Sequence, residues 1–79
     1  MTKDQAKYLY EKCRAEMLKH RSGTPLFDTL SELRFDLNGV AFVENFMINM
    51  SIKEFRSFYK RVHKNMIIAN RLISNLQKK

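Results

Sequence analysis

The chain has little of what usually interrupts helices or cross-links a small fold. Its 79 residues include one proline, two glycines, one cysteine and no tryptophan. A single cysteine, Cys13, excludes an internal disulfide, and without Cys/His pairs at zinc-binding spacing the fold depends on packing alone. We therefore expect a reducing, intracellular and specifically cytoplasmic location.

Signals for export and for membrane insertion are missing as well. No stretch near the N-terminus combines a basic start, an apolar middle and a small-residue cleavage site, and no apolar run approaches the ~20 residues that span a bilayer. We expect a protein with no membrane span. The apolar fraction of 44% and the charged fraction of 29% are typical of a folded globular chain.

The scarcity of glycine and proline, with no clean alternation of β-branched and polar residues, predicts an all-α fold. Thr2 followed by Gln5 forms a capping box that starts a helix. Gly23 and the Thr-Pro pair after it predict a helix end and a new helix start. Turn-prone residues at 36–39 predict another break. The sequence therefore predicts one small four-helix domain over residues 1–79, with helices at about 3–21, 25–35, 39–50 and 51–77.

Only three side chains in residues 40–50 are polar, so we predict that the helix over 39–50 is central in the domain. Val40, Val43, Met47 and Met50 define one apolar side of that helix. Its Met and Phe side chains are typical of core filling rather than of a cofactor site.

The positive charge of the chain is concentrated at one end. The chain has 15 Lys/Arg and 8 Asp/Glu, which give a formal net charge of +7. Residues 1–50 contain seven of each sign, so the whole excess belongs to residues 51–79, in which Glu54 is the one acid. A charge segregated in this way indicates a dedicated binding surface.

The predicted fourth helix is long and has two unlike faces. Ser51 and Glu54 form a second capping box, and no Gly or Pro follows, so about 27 residues, or ~40 Å, can be helical. We expect its end to protrude or to lie against a partner. An apolar stripe repeats at spacings of three and four: Ile52, Phe55, Tyr59, Val62, Met66, Ala69, Ile73 and Leu76, widened by Phe58 and Leu72. The opposite side is basic: Lys53, Arg56, Lys60, Lys64, Arg71 and Lys78.

A row of cations along one helix matches the repeated charge of a phosphate backbone better than it matches a point ligand. The first hypothesis is a non-enzymatic binding protein that engages nucleic acid or a nucleoprotein complex with low sequence specificity. Such a face is often merely solvated, but this one lacks the interleaved acids of a salt-bridged surface helix. The residues predicted to bind nucleic acid, or an acidic partner, are Lys53, Arg56, Lys60, Arg61, Lys64, Arg71 and Lys78.

The second hypothesis is a small protein-binding regulator or inhibitor, of the kind that mobile elements encode. A protruding amphipathic helix can form a homodimer or clamp an acidic protein surface. A core of this size supplies only roughly 3–5 kcal/mol, so burial against a second copy would add to it. Binding to an anionic membrane surface is disfavoured by the absence of tryptophan. The residues predicted for a protein interface are Ile67, Ile68, Leu72, Ile73 and Leu76.

The titratable residues do not complete a catalytic or metal site. Cys13, His20 and His63 fall short of the three or four ligands of a metal centre, and they carry no local signature of a nucleophile and its base. We therefore expect no metal, no cofactor and no enzymatic activity.

Two arrangements that resemble nucleic-acid motifs are disfavoured on geometry. Phe55, Phe58 and Tyr59 alternate with cations, but their helical angles place the rings on the core side. A helix-turn-helix across predicted helices two and three would put apolar residues where polar, base-reading ones are needed.

Overall fold

The structure is a computed structural model that describes residues 2–77, and within this range it contains helices and no strand. The helices are α1 (Lys3–Met17), α2 (Pro25–Phe42) and α3 (Ile52–Gln77). The all-α prediction is confirmed, and so is a long last helix. The four-helix count is wrong, because the chain forms three helices in the described range.

Helix α1 begins as predicted and ends earlier. The Thr2 hydroxyl accepts the Gln5 amide at 3.1 Å, and the Gln5 side chain accepts the Thr2 amide at 3.0 Å, which completes the capping box. Helix α1 stops at Met17, and the predicted end near residue 21 falls in a series of turns. Gly23 then takes a φ of 91°, a left-handed conformation that glycine adopts without steric cost.

Helix α2 starts where the Thr-Pro pair predicts. The Thr24 hydroxyl accepts the Phe27 amide at 3.2 Å, and Pro25 occupies the first turn, where its missing N–H leaves no bond unmade. The predicted break at 36–39 is wrong, and α2 continues to Phe42.

Long-range packing explains why turn-prone residues stay helical. Asp36 is 3% exposed and pairs with Arg61 on α3, while Leu37 is completely buried in the core. Gly39 lies under the ring of Phe46, so close that an added Cβ would approach a ring carbon to 2.6 Å. These residues serve contacts between elements rather than a turn.

The predicted helix at 39–50 does not form as a separate element. Its first residues belong to the last turn of α2, and residues 43–51 form turns in which Asn45 has a φ of 59°. Phe46, Met47 and Met50 nevertheless pack against the core from this connection. The Ser51 hydroxyl then accepts the Glu54 amide at 3.1 Å and starts α3.

Helix α2 lies in the centre, with α1 and α3 both packed against it. Within residues 2–77, no Cα of α1 comes within 8 Å of a Cα of α3. The molecule measures 43 × 21 × 20 Å, and its long dimension is close to the ~39 Å length of a 26-residue helix such as α3. Among the helices of residues 2–77, none is both apolar and long enough to cross a bilayer.

Candidate functional site: the outward face of α3

Helix α3 rests on α2 along one narrow line. Its buried residues follow a 4, 3, 4 spacing and are Phe58, Val62, Asn65 and Ala69. Phe58 also meets Phe46 edge-on, with ring centroids 5.5 Å apart. We call these four buried residues the inward face of α3.

An ion pair fixes the rotation of α3 about its own axis. The Nε and Nη2 atoms of Arg61 donate to the two carboxylate oxygens of Asp36, each at 2.8 Å. Asp36 is buried, whereas the Arg61 side chain is 48% exposed. The hydrogen bonds to Asp36 raise the pKa of Arg61. Arg61, grouped by sequence with the binding cations, is thus engaged with α2.

The side of α3 that is buried differs from the apolar stripe that the sequence predicts. The buried line is rotated by about 50° from the stripe expected from heptad spacing, because Phe58, Arg61 and Asn65 face α2. The rings of Phe55 and Tyr59 are 38% and 50% exposed, and Ile52 is 75% exposed. The prediction that these two rings lie on the core side is therefore wrong.

The opposite side of α3 is basic and open to solvent. With 3.6 residues per turn, its cations fall within an arc of about 80° that lies about 160° from the inward face. None of them has a carboxylate partner within 4 Å in residues 2–77. We call this surface the basic row: Lys53, Arg56, Lys60, Lys64 and Arg71, all of which are exposed. Lys78, predicted as a further member, lies outside the described residues.

The predicted protein interface is divided between two environments. Ile67 lies among the cations and is 44% exposed, and Leu76 is 48% exposed. Ile68 is half-buried. Leu72 and Ile73 are half-buried too, and they pack against the core of the same chain.

The one cysteine lies inside the fold. Cys13 is 7% exposed, and burial raises the pKa of its thiol to about 11, with Arg34 opposing the rise. A thiol with that pKa carries little nucleophilic thiolate at neutral pH. His20 bonds to Glu16 at 3.2 Å, and no group of three His, Cys, Asp or Glu residues in the range 2–77 is placed to hold a metal ion.

A groove lies between α1 and α3. Helices α1 and α3 form its walls and α2 its floor, and its volume is about 500 Å³. The floor residues Leu30, Leu33 and Leu37 are at most 4% exposed, so an occupant would gain little from contact with them.

Comparison with known proteins places no constraint on these surfaces. No protein-family model, no curated protein and no solved structure matches the chain.

Proposed function

We propose that this protein is a non-enzymatic binding protein that engages nucleic acid, alone or in a nucleoprotein complex, through the basic row. The observation that carries the proposal is the separation of the two faces of α3. The inward face is buried against α2, and the exposed cations opposite have no carboxylate partner in the described range.

The dimensions of the row suit an extended polyanion. Lys53 and Arg71 are separated by about 27 Å along the helix axis at 1.5 Å per residue. A nucleic-acid backbone carries one phosphate per nucleotide, so several phosphates lie within this distance. Each phosphate that is neutralised by Lys or Arg releases condensed counterions. This contribution to the binding free energy is independent of sequence, so we expect low specificity.

The rest of the fold supports α3 from the side opposite the basic row. Helix α2 contacts α3 through the Asp36–Arg61 ion pair near the middle of the row and through Ala69 further along. Because these contacts lie on the inward face, a ligand can cover the cations without disturbing them. The arrangement predicts binding with little change of structure.

The test is the salt dependence of binding to a labelled oligonucleotide between about 50 and 200 mM salt. Neutralising three to five phosphates gives a log–log slope of about −2 to −3.5 for a single strand. Lys60→Glu with Lys64→Glu is expected to weaken binding roughly 100-fold or more at low salt, because two contacts become repulsive.

A matched control uses the same charge change at the same spacing on α1. Lys3 and Lys7 are exposed lysines four residues apart, so Lys3→Glu with Lys7→Glu alters the net charge equally. This variant is expected to stay within about threefold of the wild type, since long-range charge effects are screened beyond ~8–10 Å. Equal losses in both variants, or a flat salt response, would refute the basic row as the binding surface.

A second candidate is a protein-binding regulator, inhibitor or homodimer, and exposed apolar side chains favour it. Large apolar residues at and after the end of α2 are open to solvent: Phe42 51%, Val43 48%, Ile48 79% and Ile52 75%. Exposed apolar side chains concentrated in one stretch of the chain are the observation that favours contact with another protein. Sedimentation of the wild type should then show a dimer or a stoichiometric complex that Ile48→Asp with Ile52→Asp disrupts.

A further inference from the structure

Two partly exposed aromatic rings lie on the flank of α3, between the basic row and the inward face. Phe55 and Tyr59 lie one helical turn apart, with ring centroids at 5.9 Å and an angle of 36° between the ring planes. Both rings reach solvent, at 38% and 50% exposure. On the helical circumference Tyr59 is about 60° from the nearest cation, Arg56. Tyr59 therefore borders the basic row at Arg56, while Phe55 lies behind Tyr59, about 100° from Arg56 and closer to the inward face.

The exposure of the rings follows from the way α3 is anchored. Arg61 faces Asp36 through two hydrogen bonds, and Phe58 packs edge-on against Phe46. With α3 in this orientation, its other two aromatic residues remain partly exposed. Tyr59 is left at the flank of the helix next to Arg56, and Phe55 lies one turn away on the side of the inward face.

We propose that the nucleic acid bound by this surface is single-stranded, with unpaired bases stacking on Tyr59 and Phe55 while the backbone follows the basic row. This inference rests on the proposed function and adds the state of the ligand. Aromatic side chains beside a track of cations are the combination by which proteins hold single strands without reading sequence. The aromatic faces accept any base, which agrees with the low specificity expected from the cations.

A duplex can contact the cations of this surface but cannot stack its bases on the rings. Its phosphates can contact Lys60 and Lys64, but its bases are already stacked and paired, so they cannot reach Tyr59 without being unpaired. The rings therefore favour the single strand by the free energy of stacking, whereas the cations attract both forms.

An anionic membrane surface fits the arrangement less well. A helix that lies in a membrane interface has an apolar centre to its binding face and cations at the edges. On α3 the cations occupy the centre, and the rings lie at one edge. Ile67, at 44% exposure, is the one large apolar side chain within the basic row.

The first test compares a short oligothymidine strand with a duplex of equal length at one salt concentration. Tyr59→Ala is expected to weaken single-strand binding by about 5- to 10-fold and to leave duplex binding within about twofold. Tyr59→Phe keeps the ring and should bind as the wild type does. Ile52→Ala removes a neighbouring exposed apolar side chain without removing a ring and should have no such effect. Circular dichroism melting establishes that each variant is folded.

A second readout uses the tyrosines themselves, because the chain has three tyrosines and no tryptophan. Replacing Tyr8 and Tyr10 by Phe leaves Tyr59 as the one tyrosine. Stacking with a base is expected to quench its fluorescence on titration with the oligothymidine strand, and the quench should saturate with the binding curve. The duplex should cause a much smaller quench.

The outcomes separate the two proposals. Wild-type protein that binds strand and duplex equally, with Tyr59→Ala unchanged, contradicts single-strand stacking while leaving the basic row in place. Protein that binds neither form contradicts both. Binding to phosphatidylserine vesicles in the absence of strand binding also contradicts both. Single-strand preference that falls in Tyr59→Ala and returns in Tyr59→Phe supports the inference.

Discussion

The two faces of α3 differ in what their residues contact and therefore in what a substitution there should change. The inward face is buried, and residues such as Phe58 and Val62 pack against α2 and the connection after it. Every cation of the basic row is exposed, and none has a carboxylate oxygen within 4 Å in residues 2–77. If the proposed function is right, stability and binding depend on different sides of the same helix. Substitutions can separate them.

The largest effect on stability is expected on the inward face. Phe58→Ala should lower the free energy of unfolding by about 3–5 kcal/mol, because it removes a buried ring and leaves a cavity against Phe46. In a domain of this size that loss is close to the whole stability. Urea unfolding followed by circular dichroism measures it. Phe55→Ala, at a half-exposed position on the same helix, should lose less than about 1.5 kcal/mol, and equal losses would contradict the observed rotation of α3.

A smaller loss of stability is expected at the Asp36–Arg61 ion pair, which joins α2 to α3. Asp36→Asn should lower the free energy of unfolding by about 1–2 kcal/mol, because a buried acceptor of two Arg61 hydrogen bonds is replaced by a neutral group. The loss is limited because Arg61 is half-exposed and can be solvated by water. A double-mutant cycle with Arg61→Gln measures the coupling. A coupling near zero would show that the pair does not hold α3.

The inward face contains one polar residue whose replacement should stabilise the fold. Asn65 is 8% exposed, and its Nδ2 atom has no hydrogen-bond partner in the described range. Asn65→Leu keeps the branching of the side chain and removes this unpaired donor, so a gain of about 1 kcal/mol is expected. Thermal unfolding of the variant checks the sign. A marked loss instead would mean that the amide makes a contact that the inward face requires.

Local sequence signals predicted the starts of the helices. The capping box at Thr2 and the Thr24 cap both depend on neighbours within a few residues, and the structure confirms each of them. Gly23 has the predicted left-handed conformation, but it does not end α1, which stops six residues earlier at Met17. The hydroxyl of Ser51 caps α3 for the same reason. Short-range chemistry of this kind can be recognised from the sequence alone.

The errors have long-range causes. Asp36 looks like a turn residue until Arg61, 25 positions away, is seen to pair with it. Gly39 looks like a helix end, yet it provides room for the ring of Phe46. No local pattern contains either partner.

The exposed rings of the candidate site were missed because the rotation of a helix depends on what it packs against. Heptad spacing indicated that α3 has an apolar side, but Phe55 and Tyr59 fit that side as well as Phe58 does. The basic row could be predicted because its cations lie on the opposite side of α3 from the apolar residues, whichever of those residues face the core. A buried partner for Arg61 was the missing constraint.

The smallest effect on stability is expected on the basic row. Lys60→Glu with Lys64→Glu should change the free energy of unfolding by less than about 0.5 kcal/mol, because both side chains are exposed and unpaired in residues 2–77. Urea unfolding of this variant, set beside that of Phe58→Ala, completes the comparison of the faces. A loss comparable to that of Phe58→Ala would show that the cations also support the fold.

The most direct test of the central claim is an NMR titration that follows the side-chain signals of Lys and Arg as a single strand is added. We expect the signals of the basic row, namely Lys53, Arg56, Lys60, Lys64 and Arg71, to shift together and to saturate at one affinity. The signals of Lys3, Lys7 and Arg34 should stay nearly unchanged. Shifts spread evenly over all cations, or concentrated on α1, would contradict a dedicated binding face on α3.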